Sequence, residues 1–203
     1  RVREFDANDC GFAYRDSFFK AAAGRDWLIL AVRLRLARRA ALVLDYGELR
    51  SELAARGLAQ PTPRDVADAV MTIRQRKLPD PARLGNAGSF FKNPTVVQAQ
   101  ADALRDRFAQ LPIHRSGAAE RGLCKLSAAW MIEQCGWKGH RDGDAGVYSR
   151  HALVLVNHGN ASGRQLLTLA RRIADSVQQR FGIALEPEPI IVGDRWRPGL
   201  DER

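Results

Sequence analysis

The sequence predicts an α+β fold, and three observations carry that prediction. Amphipathic helical stripes alternate with short apolar or alternating runs, two of the helices open on legible caps, and there is neither an internal repeat nor a low-complexity stretch. The pattern does not fix how the strands pair, so helices packed on an antiparallel sheet, rather than a regular parallel α/β succession, are expected.

Taken in order, Val2 to Phe5 reads as a strand, and Trp27 to Leu36 as a longer one that starts as a buried apolar run and ends in alternation. Ala41 to Tyr46 reads as a third. Gly47 to Arg56 reads as a brief helix stopped by Gly57. Thr62 is placed as the N-cap of a better helix, with Pro63 at its first position and Val66, Ala69, Val70 and Ile73 as its apolar stripe, ending near Lys77. Pro79 and Pro81 then form a natural boundary.

Beyond that boundary Phe90 and Phe91 are expected on a strand, Val96 to Gln110 on a helix, and Leu126 to Cys135 on another ended by Gly136. The stretch between these two helices reads as a polar loop. Gly146 to Asn157 reads as one strand. Ser162 with Gln165 makes a capping box for a long helix reaching Arg180, and Ile183 to Val192 reads as the last strand.

The 203 residues, 45% of them hydrophobic, suffice for one large domain or two small ones. No apolar run has the length of a membrane span, and the first residues lack the apolar core of a signal peptide, so a cytoplasmic protein is expected. Cys10, Cys124 and Cys135 are scattered and odd in number. With no Cys-x-x-Cys and no paired histidines, neither a disulfide framework nor a metal site is expected. The formal net charge of +9 raises nucleic acid as a partner. However, its densest cluster, Arg33 to Arg39, alternates as a strand with one solvated face, and no helix-turn-helix, aromatic RNA-binding signature or basic tail accompanies it.

The densest chemistry lies in Gly85-Asn-Ala-Gly-Ser-Phe-Phe-Lys-Asn-Pro94. Gly85 and Gly88 permit close backbone approach or positive φ, and they hold Ser89 at a bend with Lys92 and Asn93 close behind. The alternative is an ordinary Gly-rich turn entering a strand. Elsewhere, Tyr14-Arg15-Asp16-Ser17 gathers an aromatic, a cation, an anion and a hydroxyl, although Arg15 and Asp16 could be only a surface ion pair. Tyr46 before Gly47 could be only the end of a strand. Lys77 suits a helix C-terminus as a cation against the dipole. Lys125 and Gln134 are polar residues left over on a segment whose apolar positions suit core packing, and Glu186 and Glu188 stand at the i, i+2 spacing that puts both on one face of a strand.

The Gly-Asn-Ala-Gly-Ser-Phe-Phe-Lys-Asn-Pro run closely resembles the serine-bearing signature of the UDP-N-acetylenolpyruvoylglucosamine reductases, flavoenzymes that make UDP-N-acetylmuramate for peptidoglycan. Tyr14-Arg-Asp-Ser17, the Tyr46-Gly47 pair, Lys77-Leu-Pro-Asp-Pro81, the Lys125 to Cys135 segment and Leu185-Glu-Pro-Glu188 resemble further family segments, in family order. The tyrosine marks the subgroup with a substrate-covering loop.

This resemblance implies a catalytic set of Arg15, Ser89 and Glu188, a substrate-binding set of Tyr46, Lys77, Asn93, Lys125 and Gln134, and no metal. It implies FAD as cofactor, NADPH as reductant, UDP-N-acetylglucosamine enolpyruvate as substrate, and a monomer that binds neither membrane nor nucleic acid. It also implies that residues 1–78 end a flavin domain, 79–182 form a substrate domain and 183–203 return to the first domain. No Gly-rich flavin cradle is present in the sequence, so the chain is expected to lack the N-terminal flavin-binding portion and, alone, to be inactive. Two rival readings are a UDP-sugar-binding remnant without redox activity and a basic nucleic-acid-binding domain.

Overall fold

The computed structural model describes residues 2–38, 41–115 and 122–196, with Arg115 in its backbone only. The chain divides into two compact units, Arg1–Val43 and Leu44–Arg203.

The first unit contains two short 3-10 turns, Phe18–Lys20 and Ala22–Gly24. Its interior is a small aromatic cluster. The Phe5 ring meets Phe18, Phe19 and Trp27 at centroid distances of 5.3, 5.2 and 4.9 Å, with the Arg3 guanidinium 4.4 Å above Phe5. The strands expected at Val2 to Phe5 and Trp27 to Leu36 are not formed: both segments join no ladder among the described residues. Every residue of the second is exposed from Leu28 onward. Leu28, Leu30, Val32, Leu34 and Leu36 are 73–81% exposed, an apolar row that nothing in this unit covers.

The second unit opens with a helical hairpin. Ala41 to Tyr46, expected as a strand, leads without one into α1 (Leu49–Ala55). Helix α2 (Pro63–Lys77) starts as expected: Thr62 and Asp65 form a reciprocal capping box with Pro63 in the first turn. Leu49, Leu53 and Ala69 make a private core between the two helices, flanked by Leu44, Leu58, Val66, Val70 and Ile73.

Two antiparallel sheets follow. One has the order β1-β7-β6-β5, from β1 (Gly85–Ser89), β5 (Arg141–Asp142), β6 (Ala145–Val147) and β7 (Val154–Asn157). The other has the order β2-β4-β3, from β2 (Thr95–Val97), β3 (Ile113–Arg115) and β4 (Leu123–Leu126). Helices α3 (Gln98–Arg107), α4 (Ala128–Gln134) and α5 (Gly163–Phe181) complete the unit. Helix α5 lies on β6 and β7, and α3 on β2 and β4. The larger core joins both sheets through Phe91, Leu126, Met131, Ile132, Leu155, Ile173 and Phe181.

Several boundaries differ from the expectation. The run from Gly146 to Asn157 is two paired strands, β6 and β7, because Tyr148–His151 folds into a turn. The expected polar loop before Leu126 contains β3 and β4, whose brevity hides them from pattern reading. The helix expected from Val96 starts at Gln98 and ends at Arg107. Ile183 to Val192 forms only an isolated bridge, Phe91 with Pro187. Ile183 and Leu185 are nevertheless buried, so the apolar alternation there reported a buried face rather than a ladder. The Ser162–Gln165 capping box and the Gly136 stop are as expected, Gly136 having φ +82°.

Candidate active site

Ser89 ends β1, and its bend has a specific cause. The pairing of β1 with β7 slips between Asn86 and Ser89. Gly88 takes φ +73° there, and a Cβ on it would meet nothing within 4 Å, so conformation rather than space requires glycine. Asn86 braces the irregularity: its Oδ1 accepts from the Gly88 N–H at 3.0 Å and its Nδ2 donates to the Leu84 carbonyl at 2.9 Å. Directly after Ser89, the Phe90 N–H donates to the Leu153 carbonyl at 2.7 Å, which fixes the exit of the bend.

The other side of this segment is taken by the tail. The Glu188 N–H donates to the Phe90 carbonyl at 2.7 Å and the Lys92 N–H to the Glu186 carbonyl at 2.9 Å, flanking the Phe91–Pro187 bridge. Residues 94 positions apart or more thus meet, and the backbone of Glu188 lies opposite the residue that follows Ser89. The register is protected. Pro187 and Pro189 have no N–H, so a one-residue slip would leave Phe90 facing a residue that cannot donate. Across the same pairing the Lys92 Nζ contacts the Glu186 Oε2 at 3.0 Å.

Asn93 carries the chain from one sheet to the other. Its Oδ1 accepts from the Ala128 N–H at 3.0 Å, at the start of α4, where Ser127 also accepts from the Trp130 N–H at 3.2 Å. Two otherwise orphaned amides of a short helix are thereby satisfied. Lys125 is half-buried in β4, between Thr95 and His114 on its neighbours. Gln134 is exposed at the other end of α4, roughly 10 Å along the axis from Ala128 at 1.5 Å per residue. Its carbonyl accepts from the Arg180 guanidinium.

Lys77 ends α2 and pairs with Glu48 at 2.9 Å, while Arg76 spans Glu48 at 3.0 Å and Glu52 at 3.2 Å. The hydrogen bond from Lys77, then that from Arg76, holds the Glu48 carboxyl below the usual carboxylate range. Arg150 donates to the Arg76 carbonyl at 3.1 Å. This contact puts the end of α2 beside the Tyr148–His151 turn, which leads to Val154, the β7 partner of Ser89. Tyr46 is 78% exposed, and its carbonyl accepts from the Leu49 N–H at the start of α1.

Arg15 lies in the first unit. At φ +55° it is the non-glycine residue at positive φ among those described. It closes a tight turn in which Ala13 and Asp16 exchange backbone hydrogen bonds, and its carbonyl accepts from the Lys20 Nζ at 2.7 Å. A left-handed arginine costs roughly 1–2 kcal/mol, and such strain is typical of functional positions.

The second unit therefore brings Ser89 and Glu188 onto neighbouring backbone positions and puts Asn93 and Lys125 along the path that follows, with the end of α2 anchored near β7. Sequence reasoning passed over Glu48, which engages Lys77, and the Lys92–Glu186 pair. The signal for the second was the paired prolines around Glu188, which restrict which amide can donate. Among the described residues no group of three His, Cys, Asp or Glu side chains could hold a metal ion, and no helix is long and apolar enough to cross a membrane.

Residues 80–192 match the model of the UDP-N-acetylenolpyruvoylglucosamine reductase C-terminal domain. The chain belongs to this family. A reductase of that name from Chromobacterium violaceum is 57% identical over 184 residues, 91% of this chain and 53% of its own length. Those from Xanthomonas oryzae pv. oryzae and Pseudomonas aeruginosa are 56% and 55% identical, each over 54% of their own lengths and over 94% and 93% of this chain. The chain spans about half the length of the curated relatives it matches. The solved UDP-N-acetylenolpyruvylglucosamine reductase from Thermus caldophilus aligns with a TM-score of 0.36 at 27% identity, over 62% of this chain and 32% of its own. The family assignment accordingly stands on the sequence matches.

Proposed function

We propose that this chain is the substrate-binding and protonating part of a UDP-N-acetylenolpyruvoylglucosamine reductase, which reduces the enolpyruvyl double bond with electrons from NADPH and an FAD cofactor. The observation that carries the reading is the hydrogen bond from the Glu188 N–H to the carbonyl of Phe90, the residue after Ser89, which brings two family positions 99 residues apart in sequence onto neighbouring backbone.

On this reading most of the flavin's contacts belong to the remaining half of the family's length. Gly85 and Gly88 belong to a strand paired with β7 and do not open a helix, so they offer no cradle of converging N–H groups for a diphosphate. The exposed apolar row of the first unit supports assigning the cofactor's other contacts to the remaining half of the family's length. When bound, reduced flavin would supply hydride to the methylene carbon.

The chain's own residues supply the rest. Hydride addition leaves negative charge on the carboxyl end of the substrate, and a guanidinium such as Arg15 can hold a carboxylate through two parallel hydrogen bonds. Ser89 gives its hydroxyl proton to the carbon next to that carboxylate. A hydroxyl is a weak acid and must be closely placed, and Glu188 is the group that supports it. Lys77 and Lys125 are cations suited to the diphosphate of the UDP moiety, and Tyr46, Asn93 and Gln134 are suited to hold the nucleotide sugar.

The test is Ser89→Ala in the full-length protein, followed by stopped-flow absorbance. Reduction by NADPH needs no proton from Ser89 and should persist, whereas reoxidation by the enolpyruvyl substrate should fall by roughly 10²- to 10⁴-fold, as expected on removal of a positioned general acid. Reoxidation at the wild-type rate would make Ser89 a turn residue only.

A further inference from the structure

We infer that Arg171 and Trp196 are positioning residues which clamp the tail onto the Ser89 segment and thereby set Glu188. The clamp has two points. On α5, the Arg171 side chain is only 13% exposed, and its Nη2 donates to the Asp194 Oδ2 at 3.1 Å and to the Arg195 carbonyl at 2.9 Å. Its Nε is buried without a partner, so the cost of burying this guanidinium is offset chiefly by the tail. One residue farther on, the Trp196 ring lies 5.9 Å from Phe91 and 6.3 Å from Phe90 between centroids.

Between the clamp and α5 the tail makes the pairing described above. That pairing is thin. It consists of one isolated bridge with a hydrogen bond on either side, in a segment whose prolines withhold further donors. The Lys92–Glu186 ion pair adds little, because the Glu186 side chain is 70% exposed. The two backbone hydrogen bonds fix where the Glu188 backbone lies, and what holds the rest of the tail decides how firmly they persist. Trp196 adds to that hold by packing against Phe90 and Phe91, residues of the segment the tail pairs with, and Arg171 fixes the chain beside it. The tail is therefore a strap beside the Ser89 segment, anchored on either side of Glu188 by the buried Ile183 and Leu185 before it and by the clamp after it.

This inference rests on the proposed roles of Ser89 and Glu188, and one of its readouts is independent of them. In the full-length protein, Trp196→Ala and Arg171→Met are compared with Trp196→Phe, which retains an aromatic ring over the Phe pair. Hydrogen exchange is followed in a peptide spanning 186–190, where Pro187 and Pro189 contribute no amide, so that Glu188 reports with only the exposed Ile190 beside it. Faster exchange at Glu188 is expected in Trp196→Ala and Arg171→Met, with α5 and β7 protected as in the wild type and with Trp196→Phe near the wild type. Reoxidation by the enolpyruvyl substrate should fall by between about tenfold and 10²-fold, the usual cost of a small misplacement from a distance. Reduction by NADPH should be unchanged. Unaltered exchange in both variants would overturn the clamp, whatever the activity. Faster exchange with wild-type reoxidation would leave the strap mechanically real but overturn its role in setting Glu188. A wild-type protein that does not reduce the substrate would fail the functional reading alone, the exchange result still deciding the clamp.

Discussion

The two units spend their apolar residues in opposite ways. In the second, Leu155, Leu169, Ile173 and Val177 are almost wholly buried in one core of sheet and helix residues. In the first, the row from Leu28 to Leu36 is exposed, and among the described residues the interior consists of the Phe5 cluster with the buried Cys10 and Gly24. The sequence patterns are equally good, so pattern alone does not create a core: an alternating strand needs a partner on its apolar side. The second unit contains its partners. The first holds half of a surface, and it also carries Arg15, the strained residue whose charge the proposed chemistry requires.

The largest effect expected from this difference is in backbone protection. Amides of α5 and β7 should exchange through opening events that approach global unfolding, whereas those of residues 28–36 have no ladder and should exchange with almost no protection, a contrast of several orders of magnitude. Hydrogen exchange of this 203-residue chain measures both in one experiment. Equal protection of residues 28–36 and α5 would erase the contrast.

Substitution sharpens it. Ile173→Ala removes a fully buried side chain from the larger core and should cost roughly 2–5 kcal/mol in denaturant unfolding. Leu30→Ala, at 73% exposure, should stay within about 0.5 kcal/mol in the same chain. If the row is covered by the remaining half of the family's length, Leu30→Ala in the full-length protein should instead become clearly destabilising. Near-neutrality in both settings would remove the reason for assigning that face to an intramolecular partner.

What was legible in the sequence follows the same division. Caps were readable because they are local, Thr62 with Pro63 in one helix and Ser162 with Gln165 in the other, and both helices begin where those residues put them. Strands were read poorly. Residues 28–36 have strand chemistry and no partner, whereas β3 and β4 have partners and are too short to show a period. The α+β class survived these errors because it depends on the mixture and not on the register. The Ser89 run was legible as a site from its density of glycine, hydroxyl, cation and amide. The pairing of Glu188 with the residue after Ser89 was not, since a pairing across almost 100 residues leaves no local periodicity. Asn93 is instructive in a different way. Its side chain engages the amide of Ala128, so whatever it does for a ligand, it also holds α4.

That double duty gives the next prediction. Asn93→Ala leaves the Ala128 amide without its acceptor at the head of a short helix, and the loss should be about 0.5–2 kcal/mol, the range for capping residues. Lys77→Ala should cost less stability, since its pair with Glu48 is half exposed at both partners. Both should raise KM for the UDP-sugar in the full-length protein. The split distinguishes their roles: equal stability losses would show that the Lys77–Glu48 pair holds the α1–α2 hairpin more than expected, and an unchanged KM in both would remove them from the substrate site.

The smallest effect concerns His151, at the turn between β6 and β7. Burial, then the nearby charges of Lys77 and Lys138, lower its pKa from the ordinary value of 6.5. Its Nδ1 accepts from the Leu153 N–H at 3.3 Å, a bond that requires that nitrogen to be unprotonated. The sign follows from proton counting. Below about pH 6.5 the unfolded chain protonates this histidine while the folded chain resists, so the unfolded state binds more protons and stability falls as the pH drops through that value. The carboxylates whose pKa values are lowered, Glu48, Asp65, Asp144 and Asp194, start from 3.8 to 4.5 and lose their contribution only at more acid pH. Between pH 7 and 5.5 the His151 contribution can therefore be isolated by comparing the denaturant midpoint with that of His151→Gln, whose amide oxygen can still accept but does not titrate. The wild type should lose more stability across this window than the variant, and Lys77→Ala should reduce the difference by removing one of the charges that oppose protonation. Parallel pH profiles for wild type and His151→Gln would mean that the turn next to β7 opens enough to hydrate the ring, and that the second unit is less firmly packed at this edge than its core.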